Sequence, residues 1–303
     1  MKPSSKKMFR NGQLYAMLLP NLVLFVGLTV YPIVWSLRYM LYDYDGIHAA
    51  KFTGMDNFVR LFTRDDVYWD SLLNTLVYAC GKLALIIPLA FLLAMILNVP
   101  FKGRTAIQVI VFSPTIMSSA VMALMFYLLL NVYNGDLNRF LLYVGIIDQP
   151  INWLGPSLAM LSVVLVAVWG GVGNYMVYFL SGLQTIPKDI YESADLEGAT
   201  YWQRLFKITI PMLGPVLRIV LMLAILAAFQ DIQSIMVMTE GGPLGQTQVV
   251  FLYLYQLFFP VSASASIHPE IGYGAAASVV TGLILGIITA IYLLVSKKLD
   301  NIF

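Results

Sequence analysis

Of the chain's 303 residues, 59% are hydrophobic and only 11% charged, and the mean hydropathy is +0.79; an ordinary soluble domain carries roughly 25% charged residues. The formal net charge of +2 comes from basic residues spread along the ends of apolar runs, which excludes the aromatic-interleaved basic stripe of a nucleic-acid binder. A single cysteine, Cys80, excludes an intrachain disulfide or a thiolate metal site.

A bilayer core needs about 20 mostly apolar residues per helix, and six runs meet that length, at roughly 13–37, 71–98, 105–131, 158–182, 209–238 and 275–296. Their apolar character is continuous. A membrane barrel would instead need alternating segments of about 10 residues, so the expected fold is all-α and polytopic. No internal repeat with a period of about 20–50 residues interrupts it. The first run follows Lys2, Lys6, Lys7 and Arg10 as a signal peptide would, but it is too long and lacks a small-residue cleavage site, so it is read as a retained helix. Residues 1–70 group as the N-terminus, first helix and outer loop, and 71–303 as the core transmembrane region with a polar loop at 183–208. Between Tyr39 and Asp70, the residues Asp43, Asp45, Asp56, Asp65, Asp66 and Asp70 show no recurring ligand spacing and read as a solvated outer loop, not a metal site.

Lys82 lies about ten residues into the second run. It has three readings: lining a watery path, pairing with Asp231, or snorkelling to an interface. In the fourth run, Trp169 precedes Gly170, Gly171 and Gly173, then Asn174 and Tyr175. The glycines suit tight helix packing or a kink, and Trp169, Asn174 and Tyr175 form a candidate polar patch. Phe229, Gln230, Asp231 and Gln233 form a second patch in the fifth run, which reads either as a solute pocket or as the outer end of the helix, already near water. Polar groups inside a membrane run are costly and therefore functional candidates; amides, one carboxylate and an aromatic offer a sugar hydrogen bonds and a flat face.

The loop between the fourth and fifth runs is the chain's most polar stretch in its second half. Pro187 suits a first helical turn, and Asp189 and Glu192 suit the positive end of a helix dipole. Gly198 is placed to end that helix in the left-handed conformation, and Thr200 with Gln203 to open the next through a capping box. Ile190, Ala194 and Gly198 are spaced by four and share one face, which suits either a small-residue surface that another protein's backbone can approach or the apolar side of a loop resting on its own transmembrane bundle. Arg218 opens the fifth helix and is expected to reach lipid phosphate or this loop.

The positive-inside bias sets orientation. With the N-terminus in the cytoplasm, eleven basic residues fall on the inner side and five outside, while Lys82 and Arg218 lie within helices. Both termini are therefore expected to be cytoplasmic.

Glu192-Ser193-Ala194, Glu197-Gly198-Ala199, then Trp202, Phe206 and Thr209-Ile210-Pro211 resemble the EAA loop of the integral-membrane permeases of binding-protein-dependent ABC importers. Ser193 and Glu197 stand where that pattern has Ala and Asp. Thr53-Gly54-Met55-Asp56-Asn57-Phe58, Asn74-Thr75-Leu76, Gly135-Asp136-Leu137-Asn138, Thr239-Glu240-Gly241-Gly242-Pro243 and Gly272-Tyr273-Gly274-Ala275-Ala276 extend the likeness along nearly the whole chain. It looks closest to the carbohydrate-type permeases. The stretch from Pro260 to Glu270 reads as an outer-loop insertion.

That resemblance implies a type I importer permease in a bacterial-type inner membrane, forming half of a pathway for a sugar or oligosaccharide. Its implied partners are a second related permease, two cytoplasmic ATPases, an extracytoplasmic solute-binding protein and membrane lipid. Ile190, Glu192, Ser193, Ala194, Asp195, Glu197, Gly198 and Ala199 would couple to the ATPases. Trp169, Asn174, Tyr175, Phe229, Gln230, Asp231 and Gln233 would line the pathway. The chain has no G-x-x-x-x-G-K-[ST] phosphate loop, so no cofactor is expected on it, and ATP and Mg would be used by the partners. An enzyme is not expected, because the only histidines, His48 and His268, lie in outer loops and no nucleophile or metal pair accompanies them. The competing mechanism is an ion-coupled secondary transporter or channel, which broken helices and midplane polar groups would also suit.

Overall fold

A computed structural model describes residues 5–260 and 268–300, with side chains from Tyr15 to Lys297 within them. Most of the stretch expected as an outer-loop insertion, 261–267, lies outside the described residues, as does Lys2. In chain order the elements are α1 (Ser5–Phe25), a π turn (Val26–Val30), α2 (Tyr31–Leu37), a 3-10 turn (Arg38–Leu41), strands β1 (Tyr42–Asp43) and β2 (Lys51–Phe52), α3 (Asp56–Thr63), α4 (Asp66–Asn98), α5 (Arg104–Ile116), α6 (Ser119–Leu129) and α7 (Asp136–Val144). There follow α8 (Ala159–Leu183), α9 (Lys188–Leu196), α10 (Tyr201–Arg204), a second π turn (Leu205–Thr209), α11 (Ile210–Met212), α12 (Gly214–Phe229), α13 (Gln233–Met238), α14 (Val250–Phe258) and α15 (Ile271–Asp300).

Among the described residues four helical stretches are long and apolar enough to cross a bilayer: Tyr15–Leu41, Asp66–Asn98, Ala159–Leu183 and Ile271–Lys297. Two further spans are bent pairs, which brings the number to six if each pair is one crossing. The third apolar run is thus not one helix. It folds by 97° between α5 and α6, where Met117 and Ser118 are both extended. Pro114 has no N–H for the carbonyl of Ile110, and the Ser113 hydroxyl donates to that carbonyl at 2.9 Å instead. The fifth run is likewise bent, by 67°, at Leu213, and helix α12 stops at Phe229, so Gln230 and Asp231 sit in a break before α13.

Both π turns precede a proline by two residues, Pro32 and Pro211. In each the following residue bonds five back, Tyr31 N–H to Val26 O and Ile210 N–H to Leu205 O. Widening the turn in this way relieves the proline ring's clash with the carbonyl four residues earlier.

The chain divides into two compact units. One holds the residues up to Asp65 with Leu254–Leu283; the other holds Asp66–Tyr253 with the residues from Ile284 onward. In the first unit, the segment expected as a plain solvated loop is structured. β1 and β2 pair antiparallel, Tyr42 opposite Phe52. The Asn57 amide donates to the carbonyls of Met40 and Tyr42, both at 3.0 Å. Arg60 pairs with Glu270 and lies 3.9 Å over the Tyr273 ring, whose hydroxyl donates to Asp65. The local reason is visible in α3, where Leu61 is buried while Asp56 opens the helix.

In the second unit α8 is the central helix, and α4, α5, α6, α12 and α13 all pack against it. Its glycines make this possible. A Cβ on Gly173 would stand 2.5 Å from the Val111 carbonyl oxygen and 2.8 Å from Phe112 Cα, and one on Gly170 would stand 2.4 Å from the Met122 sulfur. The Thr115 hydroxyl donates to Gly170 O at 3.2 Å across the same contact. Since α8 is continuous, these glycines serve close approach, not a kink.

Polar side chains close the loops around this core. Asn138, buried, donates to the carbonyls of Val132 and Ile151 and accepts from Ile151 N–H and Trp153 Nε1. Asn74 donates to Gly245 O and Gln248 O, and Thr75 Oγ1 accepts from Val250 N–H. Arg218 offers its carbonyl to the Tyr292 hydroxyl at 2.6 Å.

Candidate functional site

The polar loop folds as its caps predict. α9 starts directly after Pro187 and ends in a Schellman motif: Ala199 N–H bonds to Ala194 O at 2.9 Å and Gly198 N–H to Asp195 O at 3.1 Å. Gly198 takes the left-handed conformation at φ +75°, and a Cβ there would meet no atom within 4 Å. Thr200 and Gln203 form the reciprocal capping box that opens α10.

Three contacts hold the loop together and tie it to the start of the fifth span. Asp195 pairs with Arg204, tying α9 to α10. The Tyr191 and Thr209 hydroxyls lie 3.0 Å apart, and Thr209 donates to Arg204 O. Ala194 is only 6% exposed, and Ile190 and Tyr191 are half-buried. Of the two readings of this face, the packing selects the bundle for the part carrying Ala194, because its small apolar residues, with Tyr191, are what the chain's own helices can cover, whereas Gly198 at its end is exposed. The outward side carries Asp189, Glu192, Ser193 and Leu196, with Leu196 91% exposed. Beyond Gly198, Trp202 stacks on Phe206 with ring centroids 6.1 Å apart, and both rings are exposed. Glu197 is exposed and Ala199 half-buried. The signal missed in sequence was the helical phase of Tyr191.

A second site lies where α12 breaks. Lys82 and Asp231, 149 residues apart, meet with Nζ 2.9 Å from Oδ2, which selects the pairing among the three readings of Lys82. The Tyr78 hydroxyl donates to the same oxygen at 2.5 Å, and the Ser234 hydroxyl donates to Oδ1. Tyr78 and Ser234, absent from the sequence expectation, complete the cluster. Tyr78 precedes Lys82 by one helical turn, a spacing that puts both on one face. No buried polar side-chain atom among the described residues is left without a partner.

The other expected pathway residues divide into two groups. Gln230, Gln233 and Trp169 are exposed, Asn174 is half-buried, and Trp169 meets Phe126 edge-on at 5.2 Å. Tyr175 is buried and lies edge-on to the exposed Tyr178, centroids 6.5 Å apart. Phe229 is a correction: it is 4% exposed and packs with Ala79, Ala228 and Leu83, so its ring fills the core and presents no face to a solute. Among the described residues no group of three or more His, Cys, Asp or Glu could hold a metal ion.

Known proteins share this sequence and architecture. The family model described as the inner membrane component of binding-protein-dependent transport systems matches residues 86–301. The probable ABC transporter permease protein YesP of Bacillus subtilis is 34% identical over 91% of this chain and 88% of its own length. The lactose transport system permease protein LacF of Rhizobium radiobacter is 32% identical over 87% of this chain and 88% of its own, and the trehalose/maltose transport system permease protein MalF of Thermococcus litoralis is 30% identical over 97% of each. Among solved structures, a chain of a bacterial alginate ABC transporter in complex with an alginate pentasaccharide-bound periplasmic protein superposes with a TM-score of 0.83 at 23% identity, covering 98% of both chains; that likeness establishes the fold.

Proposed function

Because this chain belongs to the family of inner membrane components of binding-protein-dependent transport systems, and is a permease subunit of a multi-pass cell-membrane importer, we propose that it forms half of a translocation pathway for a sugar or oligosaccharide. In this reading a second, related permease forms the other half, and an extracytoplasmic binding protein delivers the solute. Two cytoplasmic ATPases drive the cycle through the loop at 183–208, with both chain termini on the cytoplasmic side. Lactose and trehalose/maltose permeases among its relatives support the solute class.

The observation that carries the reading is the two-sidedness of the loop. Ala194 and the Tyr191–Thr209 contact hold it to the helices that would move, and the Asp195–Arg204 pair keeps its two short helices together. Leu196, Glu192, Trp202 and Phe206 stand outward, where an ATPase groove would take them. Aromatic and aliphatic side chains flanked by acids suit a docking patch. A push on the outer side is thereby transmitted through Thr209 to the bend at Leu213 and on to α12, whose end carries Gln230 and Asp231. Amides at that end suit solute hydroxyls.

The test is reconstitution of the permease pair with its ATPases and binding protein in vesicles. Uptake of a labelled oligosaccharide should require ATP on the loop side and the loaded binding protein. Uptake driven by an ion gradient with the ATPases left out would instead establish a secondary transporter.

A further inference from the structure

A buried ion pair is weak evidence for stability, because desolvation offsets most of the attraction. This one sits at the break in the fifth run that follows α12, and it reaches back to a different, unbroken helix. The last bond of α12 is Gln230 N–H to Leu226 O, and Met236 N–H to Ile232 O begins α13. Between them, Asp231 is held on one carboxylate oxygen by Tyr78 and Lys82 from α4 and on the other by Ser234 from α13. Three of its roughly four acceptor positions are thus taken up by the chain itself, and its charge is balanced by Lys82. Gln230 and Gln233, on either side, are exposed.

From this juxtaposition we infer that Asp231 is not a solute ligand but a positioning residue: with Lys82, it clamps the break between α12 and α13 to α4 and so sets where the Gln230 and Gln233 amides point. The wall of the pathway at this level is left neutral, with amides as its free polar groups, which suits an uncharged polyhydroxylated solute. The uptake consequence rests on the reading of Gln230 and Gln233 as pathway residues; the clamp itself does not.

The test uses the assembled transporter in vesicles, with Cys80→Ser and Gln233→Cys as the reporter background. Lys82→Met and Asp231→Asn are compared with the exchanged pair Lys82→Asp/Asp231→Lys. The reporter's reaction rate with a hydrophilic maleimide measures the position of the break directly. Each single variant should change that rate at least tenfold, and the exchanged pair should bring it back at least partway. In the Gln233 background, uptake at saturating binding protein should fall at least tenfold in the singles and recover in the exchange. Labelling rates within twofold of the parent in both singles would overturn the clamp. If the singles are lost from the membrane, the exchanged pair decides: retention with labelling within tenfold of the parent supports the clamp, and loss or a rate changed tenfold or more overturns it. Changed labelling with unchanged uptake would leave the clamp standing and remove the two glutamines from the pathway.

Discussion

Replacing Gly198 separates backbone strain from contact with a partner. At φ +75° an L-residue other than Asn or Asp is strained by about 1–2 kcal/mol, a factor of about 5–30 in an equilibrium. The space around a Cβ at this position is open to at least 4 Å, so within the chain itself a large side chain meets no more obstruction than a small one. Gly198→Ala should therefore weaken association of the ATPase by no more than about 30-fold, through the lower population of the competent loop. Gly198→Asn, which tolerates this conformation, should stay near the parent. Gly198→Trp carries the same strain as Ala, and its excess loss measures a surface pressed against the glycine. The assay is titration of detergent-solubilised permease pair with fluorescent ATPase, run beside a thermal melt to confirm equal folding. Equal losses for Ala and Trp would refute the proposal that the Gly198 end of the loop docks against the ATPase.

Other substitutions test the packing and the loops. Gly173→Ala should lower the stability of the purified complex by about 1–3 kcal/mol, because its Cβ would meet the backbone of Val111 and Phe112; Gly286→Ala, with nothing within 4 Å, is the control and should leave the melting temperature unchanged or raised. Asn138→Asp removes two donors from the half-buried carbonyls of Val132 and Ile151 and should destabilise by up to about 1–3 kcal/mol for each carbonyl left unsatisfied, read from the same melt. Asp195→Ala and Arg204→Ala break a partly exposed pair and should each cost no more than about 1 kcal/mol; a larger loss in the melt would mean that the pair organises the loop.

In the loop between β1 and β2, the Asp45 carboxylate bonded to the His48 ring raises the imidazole's pKa, and the same bond with the His48 and Ile47 amides lowers that of Asp45. A raised histidine contributes order below its ordinary value of about 6.5 that is lost as pH rises through the shifted value; a lowered aspartate contributes order above its ordinary value of about 3.9 that is lost as pH falls through the shifted one. The turn is thus best ordered between those two ordinary values. NMR titration of the His48 ring should show a raised midpoint that returns to the ordinary range in Asp45→Asn.

The loop at 186–211 was the most legible part of the chain because its signals are local. Pro187, Gly198, Thr200 and Gln203 each act on the backbone within four residues, and every cap forms where their identities place it. The broken spans were illegible for the opposite reason. Hydropathy averages over a window, and an interruption of one or two residues, at Met117 and Ser118 or at Leu213, leaves the average untouched while turning the chain. Phe229 illustrates the same limit from the side of packing: an aromatic beside amides reads as a sugar platform, but one helical step decides whether the ring faces solute or Ala79 and Leu83.

By itself the sequence determined that this chain lives in a bilayer, crosses it with helices and carries a helix–glycine–helix loop of permease type, because lipid solvation and capping act on residues one segment at a time. Tertiary structure alone decided which face of α9 is free, that Gly170 and Gly173 are contacts with α5 and α6, and that Lys82 belongs to Asp231. Those three facts join residues from different helices. A pairing across 149 residues has no periodicity to betray it, and only the packing of α4 against α12 brings the two charges within reach.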